Sequence, residues 1–345
     1  MRGCRKDVVP DGLDRLTRQE REQPYETMNY WLQRIGVAIL SLLAVSALAF
    51  GAMNVLGDPL FNLLGPVAGD TTNPESIEKI DAAKAEYHLD DPLPVRYVKW
   101  LGDFLTGDFG VQFSTDGQPP VSELLKERIP PTFMLLVMAL TFAAVISIPW
   151  ALWAASKANK PVDRGSTLMT FLLIAMPSFA LGILLKYLFA IKLDWFPQRY
   201  IANDPFWQKV HALFLPALTL ALPAAAVYQR LLRSDLITTL QEDFILMARS
   251  KGVSRRSVLF KHALRPSLFS FVTVFAINTG TLIGGALVVE QIFIIPGLGS
   301  AIYEAVARED FPVVLAIVML TAITFVAINL FVDVLYTVID PRVHR

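Results

Sequence analysis

The chain has 345 residues, with 31 acidic and 31 basic side chains, and is 54% hydrophobic but only 18% charged. Soluble domains carry about a quarter charged residues, and the deficit here is concentrated in long uncharged runs. That excludes a soluble globular chain and predicts an all-α polytopic membrane protein. A net charge of zero gives no case for nucleic acid, and the single cysteine, Cys4, excludes an intrachain disulfide.

Residues 1–29 are mixed in charge and low in apolar side chains, and are expected to form a poorly ordered extension. Six runs follow that reach the roughly 20 apolar residues needed to cross a bilayer. The first, 35–56 within a segment 30–56, is too long for a signal-peptide core despite the triplet Ala47-Leu48-Ala49. A long segment, 57–130, separates it from a five-helix core, 131–345, with spans at 131–156, 165–185, 212–229, 266–289 and 311–332.

Orientation follows from Lys and Arg in the loops. Lys157, Lys160 and Arg164 follow the second span, Arg230 and Arg233 the fourth, and Arg342 and Arg345 the sixth. Residues 58–128 instead carry thirteen acidic side chains against six basic ones, and the loop before the sixth span has Glu304, Glu309 and Asp310 against Arg308. Both termini are therefore expected in the cytoplasm and segment 57–130 outside. Within that segment, 74–88 reads as a short polar helix. In 93–105, Val98, Leu101 and Leu105 fall at helical spacing beside Tyr97 and Trp100, which suits an amphipathic helix on the membrane surface. It is either a collar over the spans or a docking surface for an external partner.

Few ionisable groups lie near the spans. Lys186, at the outer end of the third, is expected to snorkel. Glu290 closes the fifth at the outer face, as an interface residue or the border of a substrate path, and Asp333 lies near the inner end of the sixth. Backbone breakers are more common: Pro149, Pro177, Pro216 and Pro223, with Gly280 and Gly284 at a GxxxG spacing that permits close helix approach. They fit ordinary packing or a mobile bundle around a path. The candidate pathway or gating residues are Pro177, Ser178, Asn278, Gly280, Gly284 and Glu290. The sequence has no GxxxxGK[ST], HExxH, GxSxG or CxxC motif, and His88, His211, His262 and His344 are too scattered for a metal cluster. A non-catalytic chain is expected.

Residues 248–266, ARSKGVSRRSVLFKHALRP, hold six Lys or Arg, one His and no acid. The positive-inside rule accounts for the charge but not for the pattern beneath it. Leu240, Phe244, Met247 and Ala248 fall at helical spacing, Gly252 interrupts, Ser254 is a plausible N-cap, and Val258, Leu259, His262 and Ala263 continue a helical face to Pro266. The loop 232–265 between the fourth and fifth spans therefore predicts two short helices joined at Gly252, a knob suited to a groove on a partner. Lacking an ATP site of its own, the chain points to a separate cytoplasmic ATPase as that partner.

From Tyr30 onward the sequence resembles the membrane permease subunits of binding-protein-dependent ABC importers, in particular the peptide type that covers dipeptide, oligopeptide and nickel permeases. The stretches that carry the likeness are Gly57-Asp58-Pro59, LPVRYVKWLGDFLTGDFG from Leu93, MPSFALGILL from Met176, FILMARSKGVSRRSVLFKHALRPSL from Phe244, VVEQIFIIPGLG from Val288, DFPVV from Asp310 and DVLYTVIDPR from Asp333. Ala248 and Gly252 are similar to the family's coupling motif, with Leu246 and Met247 standing where its general form has Glu and Ala. The resemblance implies an ATPase-coupling surface at Phe244, Met247, Ala248, Arg249, Lys251 and Gly252. It also implies a bacterial inner-membrane complex: a second homologous permease, two cytoplasmic ATPase subunits that bind the ATP and Mg, and an external solute-binding protein. No cofactor is expected in this chain. The cargo implied is di- or oligopeptides, with nickel, glutathione or another small solute as alternatives. A stand-alone secondary transporter would show an intramembrane acid pair and near-repeat halves, and a membrane enzyme would show clustered polar residues at one interface; neither is evident.

Overall fold

The computed structural model describes residues 11–339 apart from 57, 58, 71, 87 and 116. Cys4, Gly57, Asp58, Arg342, His344 and Arg345 lie outside these residues, as does the side chain of Asp333. The described chain is helical, with one isolated antiparallel bridge between Val111 and Pro120. The helices are α1 (Asp11–Leu56), α2 (Pro59–Leu64), α3 (Pro74–Glu86), α4 (Leu93–Thr106), α5 (Val121–Ser156), α6 (Pro161–Ala175), α7 (Ser178–Leu185), α8 (Phe206–Thr239), α9 (Asp243–Ser250), α10 (Arg255–Ser257), α11 (Leu264–Phe293), α12 (Leu298–Ala307) and α13 (Phe311–Ile339).

Five stretches are long and apolar enough to cross a membrane: Leu32–Val55, Val121–Ser156, Phe206–Thr239, Arg255–Phe293 and Phe311–Phe331. The expected third span is not one helix. It divides into α6 and α7, bent by 102°, because Pro177 disfavours a helical conformation at Met176, whose φ and ψ are −83° and 120°. The other intramembrane prolines behave differently. α5 runs through Pro130, Pro131 and Pro149, and α8 through Pro216 and Pro223. Pro266 does not end its helix either. A π-helical turn, Val258–Ala263, precedes it, so that the Leu264 N–H reaches the Leu259 carbonyl and the helix passes from Arg255 into α11. Within the expected N-terminal extension, the backbone is helical from Asp11 and continuous with the first span.

The centre of the fold is the pair α5–α8. Ala139, Ala143, Ser147, Ala151 and Ala155 recur every fourth residue on α5 and are buried; Ala217, Ala221 and Ala225 do the same on α8. Such small-residue stripes let two helix backbones approach closely, which is how helices associate where lipid offers no hydrophobic contrast. Around them two clusters form. Leu135, Leu213, Leu220, Ala286 and Phe293 join α5, α8 and α11 at one end. Leu152, Tyr228, Leu236, Ile245, Val258 and Phe271 join α5, α8, α9 and α11 at the other, basic end. A third cluster packs Val121 and Leu125 of α5 against α12 and α13.

The segment between α1 and α5 contains the two expected helices, as α3 and α4. Asp70 precedes α3 and accepts hydrogen bonds from Thr72 and Ser76, which hold its carboxyl below the usual carboxylate range. α4 leans its aromatic side on α1: Tyr97 meets Phe50 edge-on and Trp100 meets it at a tilt, and the Tyr97 hydroxyl pairs with Ser46 Oγ at 2.7 Å. Phe104 is buried, whereas Val98 and Leu105 face outward. The bridge at Val111 is tied down by Asp310, whose carboxylate accepts from the Ser114 N–H and hydroxyl at 2.9 and 2.8 Å.

The stripe makes a direct prediction. Ala221→Leu forces side-chain volume into the α5–α8 contact and is expected to cost roughly 1–3 kcal/mol or more, whereas Val145→Leu, on an exposed position of α5, changes stability by less than about 0.5 kcal/mol. Thermal unfolding of the detergent-solubilised protein checks both, and equal midpoints would contradict the close approach.

Candidate functional site

The two-helix knob forms as its spacing suggested. α9 ends at Ser250, and the Val253 N–H closes the turn on the Ala248 carbonyl at 3.2 Å. Gly252 takes φ +79°, the left-handed region where a side chain is strained. Ser254 caps α10 by accepting the Ser257 N–H. The inward residue of α9 is one that the spacing did not single out. Ile245 is fully buried beside Val258 and Ala263, and Ala248 is half-buried. Phe244, Leu246 and Met247 are left 47%, 51% and 60% exposed. Residues two apart on a helix point about 200° away from each other, so anchoring Ile245 inward turns Met247 outward. Arg249, Lys251 and Gly252 are also exposed. The knob is held to the core by Arg255, which donates to the Ser156 carbonyl at the end of α5.

The candidate pathway residues fall in three places. Ser178 and Asn278 line a cavity of about 240 Å³ where the α6–α7 bend meets α8 and α11, together with Pro223, Tyr228 and Thr281. Pro177 makes the bend beside it. Gly280 and Gly284 line a separate apolar groove of about 960 Å³ between α1, α11 and α13, where Phe325 occupies the space a Cβ on Gly280 would take. Glu290 lines neither.

Glu290 is buried completely at the junction of α5, α11 and α12. Its carboxylate accepts from the Thr132 hydroxyl and from the N–H groups of Gly299 and Ser300, the latter two at 2.7 and 3.2 Å. It thus caps α12, whose first N–H groups have no partner within the helix. The Leu298 N–H donates to Thr132 Oγ1 at 2.8 Å, and Arg128 reaches Ser300 and Glu304. The glycines of IIPGLG are needed because a Cβ on Gly297 would overlap the Glu290 carboxylate and one on Gly299 the Leu287 backbone. Lys186 does not snorkel. Its ammonium donates to the Ile292 carbonyl at 2.6 Å, near the C-terminus of α11, and lies over the Phe293 ring.

Several contacts were not foreseen from spacing. Asp163 of α6 receives two hydrogen bonds from Arg233 of α8, each 2.6 Å, and a third from the Asn159 N–H. Thr170 donates to Gln229, and Trp150 Nε1 to Ser166, stitching α5, α6 and α8. The charges of Asp163 and Arg233 were visible; what the sequence lacked was any sign that residues 70 apart meet.

Comparison with known proteins places this geometry. Residues 147–345 match the family described as the binding-protein-dependent transport system inner membrane component. The oligopeptide transport system permease protein AppB of Bacillus subtilis is 36% identical over 91% of this chain and 98% of its own length. The chain belongs to this permease family. A putative peptide transport system permease protein of Brucella suis is 38% identical over 91% of the chain and 98% of that protein. The glutathione transport system permease protein GsiC of Salmonella paratyphi A is 36% identical over 92% and 99%. A crystal structure of an amino acid ABC transporter with histidines aligns at a TM-score of 0.48 and 14% identity, over 62% of this chain and 93% of that one.

The family match of the permease covers the knob and all the cavity residues. The Glu290 junction reaches beyond it, through Thr132 and Arg128, into the earlier part of α5. In this permease Gly299→Ala is expected to lose about 1–3 kcal/mol of stability by overpacking, while Gly102→Ala, with open space at its Cβ position, is neutral to slightly stabilising. Denaturation of the purified variants reads both, and a Gly299→Ala protein as stable as the parent would refute the close contact.

Proposed function

We propose that this permease forms one half of the translocation pathway of an ATP-driven importer for peptides. Three relatives of near-equal identity are named for oligopeptide, peptide and glutathione transport, and they align from end to end. Glutathione is itself a small peptide-like solute, so that relative supports a short peptide cargo and keeps glutathione as the alternative. Identifying the ligand carried by the partner solute-binding protein decides between them.

In this reading the basic end, with α9 and α10, faces the cytoplasm, and the acidic segment between α1 and α5 faces outward, in accord with the positive-inside rule. The bent pair α6–α7 counts as one crossing, which returns both termini to the cytoplasm. ATP and Mg are bound by two partner ATPase subunits, a second homologous permease completes the path, and a solute-binding protein delivers cargo from outside.

The observation that carries the proposal is the knob. Phe244, Leu246 and Met247 stand exposed on a helix whose opposite side is locked by Ile245, next to a helix that runs without a break from Arg255 to Phe293. Apolar side chains on a rigid mount fit a groove on an ATPase, and force applied there passes into α11. Met247→Asp leaves every contact of the buried side intact, so stability should change by less than about 0.5 kcal/mol. Substrate-stimulated ATP hydrolysis in the reconstituted complex should fall at least tenfold. Normal stimulated hydrolysis in that variant would remove the coupling role.

A further inference from the structure

The groove between α1, α11 and α13 serves neither the knob nor the cavity at the bend. Met53 of α1 packs on the cluster of Val313 and Val314, so α1 and α13 run antiparallel and Arg34 and Leu330 share an end. From that end the groove follows α1 to Val45 and α13 to Val318. At about 1.5 Å per residue these walls are roughly 16 and 18 Å long, close to half of a hydrocarbon core about 30 Å thick. Arg34 and Leu330 lie near the ends of the apolar stretches Leu32–Val55 and Phe311–Phe331. The groove therefore starts at one membrane surface and stops near the midplane. Its polarity is graded in the same direction. Arg34 is exposed and is the one charged residue in the lining, and Asn329 lines the same end. Further in, the Ser41 and Thr321 hydroxyls are turned back onto the Val37 and Ile317 carbonyls, which leaves an apolar shaft of groups such as Val45, Ile283 and Leu287. Of the GxxxG pair, Gly280 is covered by Phe325, but a Cβ on Gly284 would meet nothing within 4 Å. The spacing that permits a close helix is thus left open. Elsewhere α1 exposes Ile35, Ile39, Leu40 and Leu48, so the surface around the groove is one that faces lipid.

We propose that this groove binds an acyl chain of an anionic phospholipid of the cytoplasmic leaflet, with Arg34 at the lipid phosphate. A cationic mouth above an apolar shaft one leaflet deep has the polarity and length of such a lipid. The guanidinium offers several N–H donors in a planar fork, enough for phosphate oxygens alongside a partner within the chain. Basic pockets between membrane helices on the cytoplasmic side hold anionic headgroups in the same way. A peptide fits the shaft poorly, since its backbone N–H and C=O groups would go unpaired there. The bound chain supplies packing between α1 and α11 at Gly284, where the protein provides none, and so joins the first span to the helix that follows the knob. Only the choice of leaflet rests on the orientation proposed above.

The test uses the permease purified in detergent with its associated subunits and stripped of loosely held lipid. Phosphatidylglycerol and phosphatidylcholine with identical chains are added in turn, and native mass spectrometry counts the lipid retained. The parent should retain phosphatidylglycerol in preference to phosphatidylcholine. Arg34→Gln should cut that preference about fivefold, the scale of one basic side chain at an anionic membrane surface. Gly284→Leu fills the shaft from α11, where its Cβ has open space, and Ala38→Leu fills it from α1. Each should lower retention of both lipids about fivefold or more, with the lipid-free thermal midpoint of at least one of them kept at the parent value. Inorganic phosphate added alone should leave the parent's midpoint unchanged. Parent-level retention in both filled variants means an annular shell only and overturns the site, as does a preference that survives Arg34→Gln. Stabilisation by inorganic phosphate equal to that by phosphatidylglycerol overturns it in favour of a plain anion site. A benzophenone attached at Gly284→Cys, in a Cys4→Ser background, should label lipid; labelling of the second permease would give the groove to a subunit contact and overturn the proposal. No step requires transport, so a complex that imports nothing leaves this result unaffected.

Discussion

In lipid, a backbone N–H or C=O released by a helix has no water to turn to and must be satisfied by the protein. The same need, to satisfy backbone groups that a helix end releases, accounts for several of the charged residues near the spans of this chain. Glu290 takes the N–H groups of Gly299 and Ser300 at the start of α12. Lys186 takes the Ile292 carbonyl near the end of α11. Asp310 holds the Ser114 N–H, Asp163 the Asn159 N–H, and Arg255 the Ser156 carbonyl. Each side chain sits where a helix ends or a turn leaves a group without a partner, and each joins elements distant in sequence. At these five places an ionised side chain replaces the lost bond, whereas at the 102° bend the backbone closes on itself, through the Met176 N–H and the Leu172 carbonyl.

This explains which features were legible in the sequence. Apolar runs, loop charge and the Gly252 interruption are local patterns, and they set the spans and the two-helix knob. Ser254 as a cap needed only its neighbours. The partners of Glu290, Lys186 and Asp163 lie 158, 106 and 70 residues away, so their roles required the tertiary fold. Glu290 and Lys186 looked like interface residues because a position near a span end makes exposure cheap; burial became favourable only once a helix terminus was brought to meet them. The fourfold stripe from Ala139 to Ala155 was present in the sequence, but alanine is frequent in apolar runs and carried no sign of its partner. Proline was the least legible. The same residue bends the chain by 102° at Pro177 and passes within a helix at Pro149, because the outcome depends on whether the next segment can pack in the helical direction.

The knob and the cavity at the α6–α7 bend lie along one helix. From Arg255, beside the knob, to Asn278 in the cavity is a single helical path, about 35 Å long at 1.5 Å per residue. A π-helical turn, Val258–Ala263, precedes Pro266, and the helix continues through the proline. On the same helix Phe271 and Phe275 bracket Tyr228 of α8, a turn or two from Asn278.

The contrast between the two faces of α8 then decides where movement occurs. Toward α5 it presents Ala217, Ala221 and Ala225 against alanines and a serine, a contact of near-backbone atoms with no rotamers to change, and Arg233 and Gln229 bind it further to α6. Toward α11 it presents Tyr228 among aromatic rings and a cavity, a contact with space beside it and an unpaired hydroxyl within it. Packed cores resist continuous deformation and shift where an alternative packing exists. Under the coupling proposed above, the α8–α11 contact is the one with room to repack. That contact also borders the cavity at the α6–α7 bend, so the coupling proposed for the knob and the shape of that cavity would depend on the same helix.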